Sequence, residues 1–119
     1  MWTRQTAFNK VWEHFVTNKA PPSMHGAYCV YRGPEGRKCA IGVLMDDADY
    51  KPRFDSRISE AMILDKVMDL CPSLAGLDKE FANELQGAHD RYADSVLFHA
   101  KIHADLTVLA SEYDLTIPQ

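Results

Sequence analysis

Cys39 follows Arg37 and Lys38, with His25 upstream on the same stretch of chain. A cysteine becomes a nucleophile when a nearby cation or histidine lowers its pKa. Asp46, Asp47 and Asp49 follow closely, an acidic run that could hold a divalent cation or do acid–base work. Together these residues define an enzymatic reading: a small hydrolase using Cys39 with His25, or a metal held by Asp46 and Asp47. Neither set is complete. The aspartates lack the alternating ligands, central glycine and closing glutamate of a calcium loop, and aspartates ahead of a helical turn commonly cap it. In a strand, Cys39 would share a face with Ile41 and Val43, the core face, and thiols outside disulfides are among the most buried side chains.

His99 and His103 stand four residues apart, so on a helix both rings leave one face. Two ligands are below the usual count for a structural metal site. A third would have to come from His89 or Asp90. There is no His-Glu-x-x-His motif, and Cys29 with Cys39 lacks the second thiol pair of a zinc site. The sequence therefore calls for no metal and no cofactor.

Tyr28, Tyr31, Arg32 and Tyr50 are of a different kind. Tyrosine and arginine are favoured in binding hot spots, where each offers large area and several hydrogen bonds. Tyr28 and Arg32 share strand parity and are expected to present one outward surface, with Tyr31 on the other. Arg37 and Lys38 add positive charge that suits a phosphate or an acidic partner surface. Gly33-Pro34-Glu35-Gly36 is too short for a phosphate loop and joins no strand to a helix, so it reads as a turn.

These residues need elements to hold them. Phe8, Val11, Trp12, Phe15 and Val16 form one helical face, with Thr3 as N-cap and Pro21-Pro22 as the stop. Residues 27–32 and 37–44 are short and rich in β-branched or aromatic side chains, which predicts a β-hairpin around the Gly33–Gly36 turn. On that register Cys29 and Cys39 nearly face each other across the strands. A short helical turn is expected over 46–50. Apolar residues on more than one face predict a buried helix over 58–70, capped by Ser56 and ended by Cys71-Pro72. Asp78 opens a helix with the stripe Phe81, Leu85, Ala88 and Tyr92. Asp94 is expected to cap a last helix carrying Phe98, Ile102, Leu106, Leu109 and Tyr113. The fold class is α+β: one mostly helical domain over residues 1–119, with an N-terminal helix, a β-hairpin, then three helices.

Composition narrows the function. The 119 residues carry a net charge of −4, which argues against nucleic acid as a partner of Arg32, Arg37 and Lys38. The charge is uneven: residues 1–40 hold six Lys/Arg against two Asp/Glu, and residues 41–119 hold seven against fifteen. Three cysteines do not make a disulfide framework. No leader pattern and no apolar run of roughly 18–20 residues is present, so a cytoplasmic protein with reduced thiols is expected. The broad apolar face of 58–70 also suits a homodimer.

Tyr31-Arg32-Gly33-Pro34-Glu35-Gly36, then Lys38-Cys39-Ala40-Ile41-Gly42, Asp46-Asp47 and Tyr50, resembles a family of small proteins recurrent in tailed-phage and prophage genomes. The likeness is sharp over residues 28–50 and extends loosely to the first helix, Leu85-Gln86 and His89-Asp90. It implies an accessory role in infection of a bacterial host, and it carries no catalytic residues. The expectation is a non-catalytic protein that binds a host protein or a small anionic ligand through Tyr28, Arg32, Arg37, Lys38, Asp46, Asp47 and Tyr50.

Overall fold

The computed structural model describes residues 1–55 and 63–118. Helix α1 (Arg4–Trp12) begins at a reciprocal capping box. Thr3 Oγ1 accepts from the Thr6 N–H at 3.0 Å, and Thr6 Oγ1 accepts from the Thr3 N–H at 2.9 Å. It continues into a wider π-type turn over Glu13–Thr17. Lys19 then takes a left-handed conformation (φ 52°) and the Ala20 N–H closes back on the His14 carbonyl at 3.0 Å, so the helix ends ahead of the two prolines.

The hairpin sits earlier and is shorter than its sequence suggests. Strands β1 (Met24–His25) and β2 (Tyr28–Cys29) pair antiparallel, Met24 opposite Cys29 and His25 opposite Tyr28. The reversal falls at Gly26, whose φ of 62° suits glycine. The Gly33–Gly36 stretch does turn the chain, but only one bridge follows, Arg32 opposite Lys38. The expected second strand over 37–44 is instead helix α2 (Ala40–Leu44). Cys39 is its N-cap, with Sγ accepting from the Gly42 N–H at 3.3 Å. The Ile41 N–H donates to Gln86 Oε1 at 3.1 Å, which satisfies a second donor of this first turn. Cys29 and Cys39 therefore do not face each other across strands.

Three more helices follow: α3 (Leu64–Leu70), α4 (Lys79–Asp90) and α5 (Phe98–Glu112). Ser56 and the residues Ile58, Ala61 and Met62, expected to open the first of them, lie outside the described residues. Asp78 caps α4 by accepting from the Glu80 N–H at 3.1 Å. Asp94 does not cap α5; Leu97 holds that position, and the local side-chain bond is from the Leu97 N–H to Ser95 Oγ at 3.0 Å. The chain is thus α+β and mostly helical. Its core gathers Phe8 and Phe15, Ile41, Phe54, Phe81 and Leu85, and Ile102 and Leu106, all at most 2% exposed. Helix α1 packs on α2, α4 and α5, and α2 on α4. Among the described residues no helix is long and apolar enough to cross a membrane.

The position of α2 depends on Gly42. A Cβ there would collide with the Tyr31 carbonyl, which is backbone and cannot swing aside. Gly42→Ala is expected to destabilise the fold by about 1–3 kcal/mol, the usual cost of overpacking. Urea denaturation measures it, and an unchanged midpoint would refute the close approach.

Candidate binding surface

The hairpin projects a small exposed surface. His25, Gly26 and Ala27 are exposed, and Tyr28 is 59% exposed, the one exposed aromatic among the described residues. Beneath it, Ser23 is fully buried and ties the hairpin down. Its carbonyl accepts from the Val30 N–H at 3.2 Å, and its N–H donates to His89 Nε2 at 3.0 Å.

Arg32 does not share that surface. Its side chain is only 17% exposed and turns toward the 45–55 segment. Nη1 donates to Asp47 Oδ1 at 2.6 Å and Nη2 to the Met45 carbonyl at 2.7 Å. The guanidinium lies 5.6 Å from the centre of the Tyr50 ring, within cation–π range. The shared parity of Tyr28 and Arg32 fails because the chain leaves the extended ladder after Cys29. Tyr50 completes the knot: its hydroxyl donates to Asp55 Oδ2 at 2.7 Å. Asp55 also accepts the backbone N–H groups of Tyr31 at 2.8 Å and Arg32 at 3.2 Å. Burial, and then the hydrogen bond to Asp55, push the Tyr50 hydroxyl up from its ordinary range. The Arg32 bond holds the Asp47 carboxyl below its own.

The remaining expected site residues are spread around this knot. Arg37 is 38% exposed on its side chain and lies 3.7 Å from Glu35. Lys38 is half-buried opposite Arg32. Asp46 is exposed, and its N–H donates to Ser73 Oγ at 3.1 Å. It occupies the N-cap position of the Asp47–Asp49 turn without a capping side-chain bond. Asp49 instead accepts the Ser73 N–H at 2.9 Å. The three aspartates thus serve separate partners and do not converge on one point. Arg32, Asp47 and Tyr50 are brought together, Tyr28 stands on the hairpin, and Arg37, Lys38 and Asp46 lie on the turns between.

Cys39 has no exposed surface. Burial pushes its thiol up to about 12, against the small opposing pull of the Gly42 N–H. His25, by contrast, is exposed on the hairpin. His99 and His103 are separately engaged: His99 Nε2 meets the Ala20 carbonyl at 2.8 Å, and the His103 ring packs on Trp12 at 5.2 Å.

One cluster escapes sequence reading. Cys29, His89 and Asp90 each bring a ligand-type atom to within 4.8 Å of the others. The adjacency of His89 and Asp90 was visible, but nothing in the sequence ties residue 29 to residue 89. Because His89 Nε2 accepts from Ser23, the neutral ring carries its proton on Nδ1 and donates to Asp90 Oδ1 at 2.8 Å. A cation would have to replace that proton. The other nitrogen of a metal-bound imidazole then acts as a donor, and Ser23 opposes it with another N–H. The cluster is a hydrogen-bonded His–Asp pair beside a thiol, not a metal centre.

The chain matches no protein-family model, no curated protein and no solved structure. The reading of its surface therefore rests on the geometry above.

Two outcomes follow. Cys39 should resist alkylation at pH 8 in the folded protein and react on denaturation, since a rise from 9.0 to about 12 cuts the thiolate fraction about a thousandfold. Rapid native labelling at Cys39, mapped by peptide mass spectrometry, would contradict its burial. Asp55→Ala should cost about 2–3 kcal/mol by leaving the Tyr31 and Arg32 amides unpaired. Thermal denaturation with no loss would show that the knot carries no weight.

Proposed function

We propose that the chain is a non-catalytic accessory protein of phage type, acting in the cytoplasm of a bacterial host, which binds a host protein through the hairpin surface. The observation that carries this reading is Tyr28. A tyrosine 59% exposed, on a hairpin anchored by the fully buried Ser23, has the rigidity and area of a binding anchor. His25, directly across from it, and the cations Arg37 and Lys38 on the next turn favour an acidic patch on the partner. Arg32, Asp47 and Tyr50 act behind the surface, holding the 45–55 segment against residues 31 and 32. A small anionic ligand is the second reading, favoured by the same two cations.

Affinity capture from bacterial lysate, beside native mass spectrometry of the purified protein, tests it. Tyr28→Ala should weaken a captured host protein by about ten- to a hundredfold, the range of an aromatic anchor. Arg37→Ala should mainly slow association and lower its salt sensitivity. A partner bound equally well by both variants would refute this surface. A bound small anion with no protein partner would replace the first reading by the second.

A further inference from the structure

His89 is fully buried and packs in a three-ring cluster with Phe15 and Phe98, each ring centre 5.6 Å from the other two. Its Nε2 accepts from the Ser23 N–H, and Ser23 links three pieces of the surface. The Ser23 carbonyl accepts from Val30, at the end of the hairpin. The Ser23 hydroxyl lies 3.5 Å from the Arg37 carbonyl, which also accepts from the Gly33 N–H at 2.8 Å. The fit is tight enough that a Cβ at Gly33 would come within 2.7 Å of Ser23 Oγ. One imidazole nitrogen on α4 thereby fixes the hairpin and the turn that carries Arg37 and Lys38.

We propose that His89 is a proton-sensitive latch: its neutral ring holds the hairpin surface to α4, and protonation at Nε2 releases it. Adding that proton sets two N–H donors against each other at Ser23, and the ring, fully buried, cannot give the new proton to solvent in place. Other groups face the ring. Asp90 accepts from Nδ1. His14, on the turn after α1, is a second imidazole that interacts with the ring. Burial, together with Lys38 and Lys10, holds His14 itself below its ordinary range. From β2 comes the Cys29 thiol; on α5 the His99 ring is engaged with the Ala20 carbonyl. The sign is set by the acceptor role of Nε2. The neutral ring makes the bond, so the latch is complete on the alkaline side of the ring's titration and is lost on the acid side.

The functional consequence rests on the proposed binding role; the latch does not. NMR on the full chain reads it directly. At about pH 8 the His89 ring should carry its proton on Nδ1, with Nε2 as acceptor. On acidification from about pH 8 to about pH 5 the exchange protection of the Ser23 and Val30 amides should fall about tenfold or more, the cost of one unmade buried bond. The Ile102 and Leu106 amides should keep theirs. His89→Gln offers an acceptor oxygen and does not titrate, so its Ser23 protection should be independent of pH. A proton found on Nε2, flat protection in the unmodified protein, or the same acid loss in the glutamine variant would each overturn the latch. The ring tautomer is read on the unmodified chain, so the test stands even where the variant fails to fold. Hydrogen exchange needs no partner: a flat profile removes the latch and leaves the binding reading standing. An intact latch with capture insensitive to Tyr28→Ala removes the binding reading alone.

Discussion

Residues 23–55 form little regular structure, yet Ser23, Val30, Cys39, Ala40 and Ile41 among them are buried, and a buried N–H or C=O without a partner costs about as much as a lost hydrogen bond. Side chains supply what a sheet would have supplied. His89 accepts from Ser23, Asp55 from Tyr31 and Arg32, Gln86 from Ile41, and Ser73 from Asp46. In the other direction Arg32 donates to the Met45 carbonyl and Trp2 Nε1 to the Leu44 carbonyl at 2.9 Å. The partners His89, Gln86, Ser73 and Trp2 lie outside this stretch, so polar bonds as well as apolar contact fasten it to the rest of the chain, while Asp55 and Arg32 tie it to itself.

That division explains what the sequence disclosed. Helices α1, α4 and α5 carry an apolar stripe at 3.6 residues per turn, and the caps at Thr3 and Asp78 are local features. Helix α2 reads as a strand in sequence because five residues, Ala40-Ile41-Gly42-Val43-Leu44, are too few to show a period. Their β-branched content suits a strand only in a context that supplies a neighbour to pair with. Here the context supplies the Gln86 oxygen and the Cys39 sulfur instead, and a thiol is not among the usual N-cap groups. Asp94 failed as a cap for a smaller reason, the helix starting a few residues later at Phe98.

The candidate surface was legible in its composition and not in its arrangement. Tyrosine and arginine near residue 30 single out this region by residue type. Which of them face outward depends on where the chain leaves the ladder, and on Asp55 and Asp47 reaching back to Tyr31 and Arg32. Arg32 reads as a recognition residue by type, and its side chain is engaged by Asp47, the Met45 carbonyl and the Tyr50 ring. Tyr28 reads the same by type and stays exposed because its strand ends one residue later, at Cys29.

The distance along the chain between Ser23 and His89 bears on how the molecule is made. During synthesis from the N-terminus, α1 and the hairpin leave the ribosome well before α4 does. Until residue 89 emerges, the Ser23 amide has no ring to receive it, and until residue 86 emerges the first turn of α2 lacks its second acceptor. Such long-range closures form late because chain entropy must be lost before they repay it. The hairpin is among the first parts to be translated, yet the bond that ties Ser23 to α4 cannot form until residue 89 is made. A nascent chain therefore carries its hairpin without this tie until the C-terminal half of the chain is made.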